Sequence, residues 1–200
     1  MTKTDKRVER TRKLLQTALI DLIGERGYDA ITIQDIVDRA NIGRTTFYLH
    51  YNSKEDLFMS CREAGIVHFG PLRHLLTRAQ LLSPEMPPGT NSHFQHLNVG
   101  RALLYPIFQG EDGLMILRRI RDESAQDLEA SLRAAFTETD SAIPFDLLAN
   151  YLAGTQIALM QWWLEKRQPY TLEKLAQTFH RLRRAAIRDA LGLRDGEQTS

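Results

Sequence analysis

The chain has 200 residues, and its 26 basic and 25 acidic side chains leave a formal charge of +1. At 42% hydrophobic and 26% charged it carries enough apolar material for a sizeable core, which excludes wholesale disorder. A single cysteine, Cys61, excludes an internal disulfide framework and any cysteine-cluster metal site, while the near-zero charge argues at first sight against nucleic acid.

The first thirteen residues qualify that last point. They hold six basic against two acidic side chains, a local +4. Residues 57–164 carry eight basic against eleven acidic side chains, and residues 165–200 eight against five. Phosphate responds to local charge, so a basic arm outweighs a neutral average. The arm is polar throughout and has no apolar stretch behind it, so no secretory signal is read and a cytoplasmic protein is expected.

The helical period then dominates, with no two-residue alternation to suggest a sheet. Over residues 6–26, Thr11, Leu15, Ala18 and Leu22 form one stripe that Leu14, Leu19 and Ile23 widen. Gly27 stops this helix, because glycine accepts the left-handed conformation at a helix end. Thr32 opens a short second helix: its hydroxyl can cap free amides, and Asp35 suits the positive helix end. Ile33, Ile36, Val37 and Ala40 make its inner face. Asn41-Ile42-Gly43 reads as a tight turn of residues that tolerate positive φ. A brief helix over 44–49 follows with Phe47 as its anchor, and Ser53-Lys54-Glu55-Asp56 opens another that turns Leu57, Phe58 and Cys61 inward.

Later helices are longer. Residues 83–90, with Pro84, Pro87, Pro88 and Gly89, form the clearest loop, and Pro106 is expected to kink or end a helix. Leu114, Leu117, Ser124, Leu128 and Leu132 mark a long helix ending near Phe136. Pro144 sits near the start of the next, which runs to about Arg167, and Leu172, Leu175, Phe179, Leu182 and Ala186 stripe the last. Residues 147–164 carry no charge, but Asn150, Thr155, Gln156 and Gln161 interrupt them; this is a core helix packed on two neighbours rather than a membrane span.

The order of parts in residues 6–51 makes a helix-turn-helix unit. Its first short helix packs inside, which leaves the second to lie in a major groove with its N-terminal side chains near base edges. Residues 31–57 resemble the DNA-binding signature of the TetR/AcrR family: a capping Thr32, the Ile36-Val37 pair, the turn at Asn41-Ile42-Gly43, the Tyr48 exit and the Ser53-Lys54-Glu55-Asp56-Leu57 start. Val37, Asn41, Gly43 and Tyr51 depart from that pattern, and Gly43 lacks a serine hydroxyl as cap or phosphate donor.

The resemblance implies an all-α chain with an N-terminal three-helix head over residues 1–54 and a C-terminal helical effector and dimerisation domain over 55–200. It implies phosphate contacts from Thr32, Tyr48 and Lys54, and base or groove contacts from Arg44, Thr45, Thr46 and His50. Arg44 is the strongest of these, since a guanidinium bonds guanine O6 and N7 together, although a phosphate clamp is an equal reading. The expected partners are an operator in double-stranded DNA, a second copy joined through helices at about 145–167 and 171–191, and a small-molecule effector. Residues 162–173 also resemble a C-terminal region of one branch of the family.

Pocket candidates are polar and aromatic residues on otherwise apolar helices: His68, Arg101, Tyr105, Arg121, Gln156 and Trp162. Trp162 and Trp163 cannot face the same way, so one is core. His93 and His96 have a metal-like spacing with too few ligands around them, and no metal or cofactor is expected. No glycine-rich phosphate loop, HExxH pattern or G-x-S-x-G elbow appears, which argues against an enzyme. The expected function is a ligand-responsive homodimeric repressor; an activator, or a regulator controlled by a protein partner, is the alternative.

Overall fold

The computed structural model describes residues 3–64, 75–87, 105, 107, 110–166 and 169–193. Every regular element among them is helical, and none of these helices is long and apolar enough to cross a membrane. The chain divides into two compact units: Met1–His68 with Val99–Ile116, and Phe69–Asn98 with Leu117–Ser200.

The first unit contains α1 (Lys3–Arg26), α2 (Ile33–Ala40), α3 (Arg44–Tyr48) and α4 (Lys54–Glu63). Helix α1 ends where expected, with Gly27 at φ 79°. At the start of α2 the Thr32 hydroxyl accepts from the Asp35 amide while the Asp35 carboxylate accepts from the Thr32 amide, a complete capping box. Asn41 closes α2 at φ 52°, the one non-glycine residue in the left-handed region among those described. Gly43, in contrast, sits at φ −69°, so the turn does not need its conformational freedom.

The core of this unit joins Leu15, Leu19 and Ile23 of α1 to Ile36, Phe47, Leu57, Phe58 and Cys61, all essentially sealed from solvent. Tyr28 meets Phe58 edge to face at 5.7 Å, a favoured aromatic geometry. Leu14, placed on the widened stripe by its spacing, is instead exposed. Helix α4 shares this core, and Gln16 of α1 donates to the Ser60 carbonyl at 3.2 Å and to the Ser60 hydroxyl at 3.1 Å. The compact unit therefore runs past the expected boundary at residue 54, because the inward residues of α4 are also the floor of the head.

The second unit contains α5 (Arg78–Leu82), most of α6 (Glu111–Ala135), a 3-10 turn (Glu138–Asp140), α7 (Phe145–Glu165) and α8 (Leu172–Ala190). Leu81, Leu132, Phe145, Leu148, Leu152 and Ile187 form its core. Trp163 is the buried tryptophan of the pair and donates from Nε1 to the Tyr170 carbonyl at 2.8 Å, whereas Trp162 is 39% exposed. The inward face of α8 differs from the expected stripe. Leu175, Ala176, Phe179, His180, Arg183 and Ile187 face in, and Leu182 is exposed. Leu114, read as a core position of the long helix, is also exposed. The expected break at Pro106 lies outside the described residues.

Candidate nucleic-acid interface

The local chemistry of the first unit presents one short helix outward. Phe47, fully buried, fixes α3 against the core, and its ring meets Tyr48 edge to face at 5.4 Å and Tyr51 at 5.9 Å. With that anchor in place, Arg44, Thr45 and Tyr48 project to solvent, while Thr46 and His50 are partly covered. His50 leans against the Tyr51 ring at 6.4 Å.

The charges around this helix are arranged unequally. Arg26 pairs with Asp35 at 2.8 Å, and Arg39 forks onto both carboxylate oxygens of Glu25 at 2.8 Å each. Hydrogen bonds from Thr32 and the Arg26 guanidinium hold the Asp35 carboxyl down at about 2. Arg39 likewise holds Glu25 below the usual carboxylate range. Arg44 has no ion pair or hydrogen bond to any other described residue, so its fork at the first position of α3 is available to a ligand. Lys6, Arg7, Arg10, Arg12 and Lys13 on α1 are exposed as well. Arg10 and Lys13 with Arg39 line a groove of about 320 Å³ floored by Leu14, Ala18 and Ala40. Exposed cations are suited to phosphate, and a guanidinium at the start of a helix laid in a major groove also reaches base edges.

Two of the expected phosphate contacts are engaged elsewhere. The Thr32 hydroxyl donates its proton to Asp35 Oδ2 at 2.6 Å, so its donor capacity is committed to an anion that would also repel phosphate. Lys54 is turned inward, with a side chain only 14% exposed. Its ammonium donates to the Tyr28 carbonyl, the Ile31 carbonyl and Asp112 Oδ2, all at 2.9 Å, and lies 4.2 Å from the centre of the Tyr28 ring. All three ammonium protons are therefore placed, and Lys54 ties the turn between α1 and α2 to the first turn of α6. Tyr48 remains as an exposed hydroxyl. Sequence reasoning missed the inward role of Lys54 because its partners lie 23, 26 and 58 residues away.

The expected pocket residues are only partly described. His68 and Arg101 lie outside the described residues, as do His74, His93 and His96. Tyr105 belongs to the first unit and is exposed. Arg121 is engaged by its neighbour Asp122 at 2.6 Å, Trp162 stacks on Tyr170 at 6.3 Å, and Gln156 is half-buried. No hydrogen bond, ion pair or ring contact among the described residues joins these three. Cys61 is buried, and burial pushes its thiol up to about 12. That keeps the reactive thiolate unpopulated at neutral pH.

A capped helix, a left-handed turn and a second helix with an unpaired outward arginine define the class of this first unit: a helix-turn-helix nucleic-acid-binding head. Residues 15–61 match the family model described as bacterial regulatory proteins, tetR family. The head of the chain is therefore similar to the DNA-binding domain of that family. Over 57 residues it is 49% identical to the uncharacterized HTH-type transcriptional regulator YxbF of Bacillus subtilis strain 168, covering 28% of this chain and 15% of that protein. Over another 57-residue match it is 39% identical to the biofilm operon icaADBC HTH-type negative transcriptional regulator IcaR of Staphylococcus epidermidis, covering 28% and 30% respectively. The match thus spans less than a third of either curated relative. A solved TetR transcriptional regulator from Streptococcus agalactiae 2603V resembles the chain along most of its length, with 27% identity, a TM-score of 0.57, and coverage of 90% of this chain and 96% of that one.

Proposed function

We propose that the chain is a DNA-binding transcriptional regulator, a homodimeric repressor that a small-molecule effector releases from its operator. The observation that carries the reading is the unpaired Arg44 on a helix held in place by buried Phe47, in a unit whose α1 carries exposed cations. In this reading α3 enters a major groove, Arg44, Thr45, Thr46 and His50 face base edges, and Tyr48 with the exposed cations of α1 holds phosphate. Lys54 acts as a positioning residue, and Thr32 as the cap that fixes the start of α2.

Dimerisation uses α7 and α8. Leu147, Tyr151 and Trp162 of α7 and Leu182 of α8 are large apolar side chains left exposed on these helices. Two such helices from each copy form a four-helix interface, and Gly154, which has open space where a Cβ would stand, permits close approach. Isologous pairing sets the two heads on half-sites ~34–36 Å apart, one turn of duplex. The second unit, residues 69–98 and 117–200, then receives the effector, and the protein works in the cytoplasm where its operator lies. The negative-regulator role in the name of the Staphylococcus relative favours repression over activation.

The test is footprinting on the DNA flanking the protein's own gene, at low and moderate salt. Protection of a pseudo-palindromic site that Arg44→Ala weakens supports the reading; no protection at low salt refutes it.

A further inference from the structure

The inward face of α8 contains a charge that its surroundings do not explain. Arg183 sits one turn from Phe179 and one turn from Ile187, both buried, at a position where an aliphatic residue would complete the core. It is only 8% exposed. Its Nη2 donates to His180 Nδ1 at 3.2 Å, and its Nε–H is buried with no hydrogen-bond partner. No carboxylate among the described residues pairs with it.

His180 does not neutralise it. A guanidinium can only donate, so His180 Nδ1 must accept, and the proton resides on Nε2, which donates to the Ser83 carbonyl at 3.0 Å. Burial and the neighbouring Arg183 hold the imidazole below its ordinary value, that is, neutral. Arg184 donates from Nε to the Leu82 carbonyl at 2.7 Å, so the last carbonyls of α5 are satisfied by His180 and Arg184. Removing Arg183 would leave that cap in place. A buried cation with an open donor and no counter-ion among the described residues is costly unless an anion joins it.

We infer that Arg183 is the anion-recognising residue of an effector site inside the second unit, and that its ligand is a small monocarboxylate with an apolar body. This rests on the proposed function, since it names the chemical class of the effector. One net positive charge matches one carboxylate, which accepts from Nε–H and an adjacent Nη–H in a side-on pair. The flanking Phe179 and Ile187 supply the apolar surroundings. Because the Nε–H is sealed from bulk water, a ligand reaches it only by replacing core contacts with its own apolar body; strongly hydrated inorganic anions stay outside.

The experiment is thermal unfolding of the full chain with straight-chain carboxylates from butyrate to dodecanoate, each beside its primary amide and amine, and with sulfate. At a hundredfold excess over Kd a carboxylate of fitting length is expected to raise Tm by about 5–10 °C, saturably, while amides, amines and sulfate leave it unchanged. Arg183→Met is expected to raise the ligand-free Tm and to weaken carboxylate binding at least tenfold, and Arg183→Lys to weaken it less. Equal shifts from carboxylate and amide, binding undiminished in Arg183→Met, or silence across the whole series overturns the inference. If Arg183→Met fails to fold, the comparison of Arg183→Lys with the amide series decides. Anisotropy of a labelled operator fragment separates the two levels. Carboxylate binding without DNA binding refutes the regulator reading and leaves the site; DNA binding without any carboxylate effect refutes the site alone.

Discussion

Replacing Lys54 by methionine keeps the aliphatic stem of the side chain and removes only the ammonium. In the structure that ammonium makes three 2.9 Å hydrogen bonds and a 4.2 Å contact with the Tyr28 ring. The Tyr28 carbonyl keeps a second partner, the Ile31 amide at 3.2 Å, so the larger loss falls on the Ile31 carbonyl. A hydrogen bond from a charged donor contributes about 1.5–3 kcal/mol, and a partly desolvated cation over an aromatic ring about 1–2 kcal/mol. The bridge to Asp112, whose side chain is 55% exposed, adds at most ~1 kcal/mol. Together these give about 3–5 kcal/mol for Lys54→Met, against less than ~1 kcal/mol for Asp112→Asn. Urea unfolding followed by near-ultraviolet signals from the tyrosines checks the stability. Titration of operator DNA at several salt concentrations checks the contact, because a phosphate-binding lysine removes about one unit of slope when lost. The expected result is a large loss of stability with an unchanged salt slope. A stable Lys54→Met protein with a flattened slope would refute the inward reading and restore Lys54 to the phosphate backbone.

Arg44→Ala is expected to weaken operator binding by about 1–3 kcal/mol and to relax preference at one base position, read by competition among operator variants; uniform weakening at every variant would make Arg44 a phosphate clamp. Gly43→Ser places a hydroxyl at the uncapped start of α3, where a Cβ meets only Thr46 Oγ1 at 3.9 Å, and is expected to gain about 0.5–1 kcal/mol in chemical denaturation. Leu147→Asp puts a charge on the apolar face of α7 and is expected to shift sedimentation from dimer to monomer while the helical circular dichroism holds; an unchanged dimer would move the interface elsewhere. His180 has a folded-state pKa below its ordinary 6.5, so the unfolded chain binds more protons. The stability from neutral His180 is thus complete above about pH 6.5 and falls as pH drops from there toward the folded-state value. His180→Asn should flatten that part of the pH–stability curve, a window well above the acid range where Asp35, held at about 2, loses its contribution.

The caps and turns of the head are legible in the sequence because they are local. Thr32 with Asp35, Ser53 with Asp56, and Asn41 at the end of α2 each depend on side chains and amides within three or four residues, so residue type and spacing suffice. The same holds for Phe47 as the anchor of α3 and for the inward Leu57, Phe58 and Cys61, where a short helix offers one apolar face. Long-range partners were decided elsewhere. Lys54 sits in a motif that reads as an outward contact, and only the approach of Tyr28, Ile31 and Asp112 turns it in. Helix α8 carries apolar residues at two helical phases, and the hydrophobic period does not say which phase meets the core. Tertiary packing selected the phase through Phe179, Arg183 and Ile187 and left Leu182 outside, so the buried arginine could not be read from spacing. The neutral total of the composition behaves the same way. By itself the sequence determined that a basic arm precedes the head, while the structure decided that Arg26, Arg39 and Lys54 are paired within the first unit and Arg44 is not. Charge counts are additive along a chain, but availability to a ligand is set by which opposite charges the fold brings within reach.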